Sequence, residues 1–319
     1  MNDASTIATE PPRTRTVAYD FPGLAIGIAE YDHGPTGCTV LHFEDGPAAC
    51  ATDVRGGSPG VIGGFGRSDA ICLAGGSLYG LEASFGVSSE LLARRNTAAW
   101  GQVAVVSSAI IYDFRPRDNV VYPDKELGRQ ALLAAGPGVC PVGRRGAGRL
   151  ATVGKIYQVP SVQYEWGGQG AAFREVAGTG VRVFVLSVVN SIGVIVDRDG
   201  RVVRGCYDAE AGVRRHPRDI LAPAAGGTAQ TEGLPSQNTT VTAVITNKRM
   251  TPFALTQLGR QVHASMARAI QPFHTARDGD VLFALSTETV DENALDDLAL
   301  SEIASDLAWD AVLNATAGS

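Results

Sequence analysis

The chain has 319 residues, 45% hydrophobic and 19% charged, with a net charge of −6 and a pI of about 5.4. That length can bury one large core or two ordinary ones, and the acidic balance argues against a nucleic-acid partner, which needs a basic face. Five dispersed cysteines without C-x-x-C and five dispersed histidines without H-E-x-x-H argue against a disulfide framework and a metal site.

The first twenty residues carry neither an apolar h-region nor a long hydrophobic span, so the reading places the chain in the cytoplasm, away from membranes. Residues 1–17, rich in Pro and Thr, read as a loose arm ahead of a single domain over 18–319. LAIGIAEYD, GCTVLHF and VAVVSSAIIYDF read as strands, and residues 79–95 as a helix. A second helix is predicted over 124–136, with Gly136 as its C-cap. The glycines cluster in VRGGSPG, LAGGSLYGLEAS and GRRGAGRLATVGK, which suits backbone packed closely on backbone or ligand. VRVFVLSVVN is a continuous apolar strand run, and GVIVDRDGRVV a hairpin with an Asp-Gly turn. Residues 223–238 have the composition of a mobile loop.

After that loop, Thr239, Val241, Ala243 and Ile245 share one face of a predicted buried strand. Thr251 and Pro252 form a helix start, followed by a helix running to Pro272. DVLFALST (280–287) is a strand and residues 299–315 an amphipathic helix. Strands and helices intermingle along the whole length, giving one α+β domain with helices covering packed sheets.

Thr239 leads the apolar face of its strand directly after a flexible loop. It reads either as an ordinary threonine at the end of a strand or as a nucleophile. If the Asn238–Thr239 bond is cut, the new α-amino group lies beside its own hydroxyl and is partly neutral near neutral pH, so one residue supplies nucleophile and base. The hydroxyl can make that cut itself, attacking the preceding carbonyl to form an ester that water hydrolyses.

The segment NTTVTAVITNKRMTP, with QVHASMARAIQPFHTARDGDVLFAL behind it, resembles the nucleophile segment of the nylon oligomer hydrolases. These are 6-aminohexanoate oligomer endohydrolases of the P1 peptidase family, which also holds the L-aminopeptidase/D-esterases. AICLAGGSLYGLEA, VSSAIIYDF, VYPDKELGR, GQGAAFR and VVRGCYDAEAGVRRHP match that pattern in order, from about residue 18 onward. The resemblance implies a four-layer αββα sandwich of the N-terminal-nucleophile type, cleaved into an α chain ending at Asn238 and a β chain beginning at Thr239. It implies hydrolysis of small linear amide oligomers without a cofactor, and a homotetramer of cleaved pairs. Residue by residue, it makes Thr239 the nucleophile and Lys155 the lysine beside it. Asn190 becomes the oxyanion-holding amide, Tyr112 the substrate-facing tyrosine, and Asp278 with Asp280 the carboxylate pair.

Each of these residues also has a plainer reading. Lys155 suits a solvated surface, since GRLATVGK fits no phosphate loop. Asn190 suits a turn, and Asp278-Gly279 a hairpin turn. Tyr112 suits simple ring packing. His263 reads as a packed or capping residue, and His274 receives no role. The alternative activity is that of an aminopeptidase of the same family. Those enzymes usually carry serine after glycine at the cut, whereas threonine follows asparagine here.

Overall fold

A computed structural model describes residues 15–97, 99–156, 161–224 and 238–316, without the side chains of 222–224. Two sheets lie face to face. The first has five strands, in the order Leu24–Tyr31, Thr36–Phe43, Ala70–Ala74, Val106–Ile110 and Val61–Ile62. The second has six: Gly168–Glu175, Arg182–Asn190, Thr239–Lys248, Val281–Val290, Ala48–Val54 and Arg67–Ser68.

Three apolar cores separate four layers. Between the sheets, Leu24, Ile26, Leu41 and Ile71 meet Phe184, Leu186, Val241, Ile245 and Phe283. Outside the five-stranded sheet, helices Glu82–Arg95 and Lys125–Leu133 pack Val87, Leu91, Leu127 and Ala131 on Val40 and Cys72. Outside the six-stranded sheet, helices Pro252–Ser265 and Asp297–Thr316 pack Leu258, Val262, Ala304 and Leu307 on Val185, Val244 and Leu282. The strands Arg182–Asn190 and Thr239–Lys248 are therefore covered on both faces, which is why they read as near-continuous apolar runs. All ten residues of Thr239–Lys248 are buried. Val241, Ala243 and Ile245 face the other sheet, so Thr239 enters the sandwich from its rim.

Several local expectations change. Thr16–Ala18 pairs with Val139–Pro141, so the end of the expected arm is a strand; residues 1–14 lie outside the described part. The second helix begins at the Asp124 cap, where the carboxylate accepts from the Leu127 amide, but it ends at Leu133 with Ala134 as its C-cap. Gly136 instead exchanges two backbone hydrogen bonds with Ile26, tying the helix exit to the sheet. The helix after Thr251 stops at Ser265, tightens into a 3₁₀ turn over Met266–Arg268, and gives way to a short strand. There Ile270 pairs with Ile195, and sheet pairing wins over helix continuation. Residues 223 and 224 belong to helix Pro217–Ala224, and 225–237 lie outside the described residues. No helix is long and apolar enough to cross a membrane among the described residues.

Candidate active site

The site forms where the Arg182–Asn190 strand ends and the Thr239–Lys248 strand begins. These strands are antiparallel, and Asn190 stands opposite Thr239. On the other side, the parallel ladder to Val281–Val290 starts only at Val241–Val281. Thr239 and Thr240 therefore sit beside the loop that leads into that strand, and this loop carries Asp278-Gly279-Asp280.

In the undivided chain, the Thr239 hydroxyl donates to the carbonyl oxygen of Asn238 at 2.6 Å. The Gly279 amide donates to the same oxygen at 2.7 Å. A β-carbon at Gly279 would lie 2.9 Å from Thr239 Oγ1 and 2.6 Å from the Ser58 carbonyl oxygen, so no side chain fits there. The 54–60 cluster completes this wall. Ser58 N–H donates to the Asp278 carbonyl, Arg55 N–H to that of Asp280, and a β-carbon on Gly56 would strike the Asp280 amide.

Both carboxylates are fully buried, with separate partners. Asp280 Oδ1 accepts the Thr240 amide at 2.7 Å, while Oδ2 accepts the His274 amide at 3.1 Å and lies 3.0 Å from His274 Nδ1. Asp278 Oδ2 accepts the amide and hydroxyl of Thr275, and Oδ1 the amide of Ile192 at 3.4 Å. Burial, reinforced by the charge of Asp280, pushes Asp278 up to about 6. No hairpin turn forms at Asp278-Gly279; Asp278 instead makes a parallel bridge to Asn238.

Lys155 is buried, contrary to a surface placement. Gly154, at φ +70°, makes the bend before it, pressed so close to Gly205 and Cys206 that a β-carbon would lie 2.3 Å from the Cys206 amide. Lys155 N–H then binds the Ile192 carbonyl, and the side chain doubles back. Its Nζ donates to the main-chain oxygen of Asn190 at 2.8 Å and to Oδ1 of the same residue at 2.9 Å. Burial lowers this ammonium to about 7, opposed by Asp278 and Asp280 and assisted by Arg115. Neutral and charged forms are thus both accessible near neutral pH.

Asn190 is fixed at both ends of its amide. Oδ1 also accepts the Thr152 amide at 2.9 Å, and Nδ2 donates to the Tyr112 carbonyl at 3.2 Å. Through that last contact Tyr112 joins the site by its backbone. Its ring, edge-on to Phe114, opens into a cleft of about 1010 Å³ lined also by Tyr79, Glu82, Arg115 and Tyr122. The structure thus brings together Thr239, Asn238, Lys155, Asn190, Asp278, Asp280 and the Tyr112 backbone. Gly279, Thr152 and His274 escape the sequence reading. The first two act through main-chain amides, which leave no side-chain signature. His274 sits four residues before Asp278, a cue visible in the sequence. Among the described residues, no group of His, Cys, Asp or Glu side chains is placed to hold a metal.

Two sheets sandwiched by helices, with a threonine hydroxyl aimed at the carbonyl before it on a buried strand, define an N-terminal-nucleophile type of fold. Solved structures agree: the L-aminopeptidase D-Ala-esterase/amidase of Ochrobactrum anthropi superposes with a TM-score of 0.68 at 16% identity, over 97% of this chain and 90% of that one. A Burkholderia beta-aminopeptidase gives 0.66 at 19% identity, over 94% and 88%. Residues 18–319 match peptidase family S58, and the chain belongs to that family. It is 47% identical to a 6-aminohexanoate-oligomer endohydrolase of Paenarthrobacter ureafaciens, over 98% of this chain and 90% of the relative. It is 48% identical to an endohydrolase of the same description from a Kocuria strain, over 94% and 86%.

Proposed function

We propose that the chain divides itself between Asn238 and Thr239, and that the divided enzyme hydrolyses internal amide bonds of 6-aminohexanoate oligomers and similar linear oligoamides. The observation that carries this reading is the Thr239 hydroxyl on its own preceding carbonyl, with the Gly279 amide on the same oxygen. Neutral Lys155 takes the hydroxyl proton, and Oγ1 bonds to the Asn238 carbonyl carbon. The Gly279 N–H holds the developing oxyanion. The C–N bond breaks, the nitrogen of Thr239 takes the proton, and an ester remains. Water hydrolyses that ester, leaving the Asn238 carboxylate and an amino-terminal Thr239.

In the divided form the α-amine removes the proton from Oγ1. Thr239 then attacks the substrate amide, an acyl-Thr239 forms as the amine leaves with a proton, and water releases the acid. Asn190, across the ladder with its Nδ2 as donor, supports the oxyanion of this second reaction. Asp278 and Asp280 orient the nucleophile and assist the cut, and Tyr112 faces the substrate. The aromatic cleft beside Tyr112 suits methylene segments, and its polar groups suit amides.

A reducing compartment agrees with five buried, unbridged cysteines, which is the support for a cytoplasmic setting. A homotetramer of divided pairs agrees with the exposed apolar Phe65, Phe85 and Trp100 beside one cleft.

Intact-mass spectrometry tests the reading. Wild type is expected as two fragments, the smaller beginning at Thr239, while Thr239→Ala stays whole and inert on oligoamides. An undivided but active wild type would refute it. Comparing an amino-terminal p-nitroanilide with an internally cleavable, end-blocked oligoamide separates aminopeptidase from endohydrolase activity.

A further inference from the structure

His274 has no place in the mechanism above, yet it makes two contacts to the carboxylate that touches the nucleophile strand. Its main-chain N–H donates to Asp280 Oδ2 at 3.1 Å, and its ring Nδ1 lies 3.0 Å from the same oxygen. The opposite oxygen, Oδ1, accepts the Thr240 amide at 2.7 Å. That amide faces the side where the parallel ladder has not yet begun, so the carboxylate supplies the acceptor that a neighbouring strand would.

The ring is itself held. Nε2 lies 3.3 Å from the His263 carbonyl, an obligate acceptor, so Nε2 carries a hydrogen. Phe273 stacks on it with centroids 3.8 Å apart, and the His263 ring meets it edge-on at 4.3 Å. His263 is anchored in turn, with Nδ1 2.9 Å from Asp53 Oδ2. His274 Nδ1 and Asp280 Oδ2 share a hydrogen across 3.0 Å, which closes the grip on that oxygen. The backbone of His274 is left-handed, at φ +57°, which lets ring and main-chain N–H converge on one oxygen.

We propose that His274 is a positioning residue for the nucleophile: by gripping Asp280 from the far side, it aims the other carboxylate oxygen at the Thr240 amide and fixes Thr239 against the bond to be cut. This rests on the reading of Thr239 as nucleophile. Such a role acts on orientation, so it belongs in kcat and in the rate of self-cleavage, with little effect on KM.

The test compares wild type, His274→Ala and His274→Asn. Asparagine tolerates the left-handed backbone and offers an N–H near the Nδ1 position. His274→Ala is expected to slow both self-cleavage and oligoamide kcat by at least about tenfold, the loss of one buried hydrogen bond to the Asp280 carboxyl. KM should stay within about twofold if the role is orientation alone. His274→Asn should recover most of both rates, which a purely structural ring would not allow. Wild-type rates in His274→Ala, or no recovery in a folded His274→Asn, overturn the inference while leaving the function intact. A wild type that never divides overturns both. If His274→Ala does not fold, ring 15N shifts of His274 in the Thr239→Ala protein decide: a hydrogen-bonded Nδ1 supports the inference and an Nδ1 without a hydrogen bond refutes it.

Discussion

The two groups with shifted ionisation at the site, Lys155 and Asp278, set its dependence on pH. Burial holds Lys155 down to about 7 and Asp278 up to about 6. A folded lysine below its ordinary value binds its proton more weakly than the unfolded chain, so its burial penalises folding below pH 7, and the penalty fades as pH rises from there. The same rise produces the neutral amine that the proposed self-cleavage requires. Self-cleavage of freshly folded precursor should accelerate about tenfold per pH unit below 7 and level off above, read by stopped time points on denaturing gels. Lys155→Arg, charged at every working pH, should abolish that limb and cut the rate at least about a hundredfold. Gly279→Ala tests the other half of the arrangement. Its methyl would meet Thr239 Oγ1 and the Ser58 carbonyl. Self-cleavage should fall at least about a hundredfold, as expected when a donor to the oxyanion is displaced, while circular dichroism still shows a folded sandwich.

Among elements, the helix Pro252–Ser265 shows what its cap contributes apart from chemistry. Thr251 Oγ1 accepts the Ala254 amide at 3.1 Å, ahead of Pro252. Thr251→Ala should therefore lower stability by about 1 kcal/mol in urea titration and leave the self-cleavage rate unchanged. That start was legible because capping is local chemistry. The ends of the same helix and of Lys125–Leu133 were not, because partners distant in sequence decide them: Ile195 draws Ile270 into a strand, and Ile26 claims Gly136. Alternation along Thr239–Lys248 revealed which side chains face the other sheet, since period two survives even where both faces are buried. Burial of Lys155 was illegible for the opposite reason. GRLATVGK has no apolar periodicity, and its lysine is enclosed by the 190–193 turn folding over Gly154.

For the whole molecule, layering explains why so much glycine is needed. Backbone meets backbone at 54–60 against 278–280, a contact between loops of different strands that no side chain would permit. On the outside, Trp100 is 90% exposed, with Phe65 and Phe85 alongside it. If the proposed homotetramer assembles through this patch, Trp100→Asp with Phe85→Asp should reduce the mass seen by sedimentation relative to wild type, without preventing division. The six-stranded sheet places Thr239–Lys248 and Val281–Val290 at its centre, flanked on both sides by strands from earlier in the chain. If the peptide before Thr239 is cut as proposed, the later fragment stays interleaved with the earlier one, held without a covalent link between them. Native recovery from denaturant then changes kinetic order: the precursor regains its structure at any dilution, whereas the divided protein depends on two separate molecules meeting. For the divided enzyme, resistance to unfolding in the first place takes the part that reversible refolding plays for its parent.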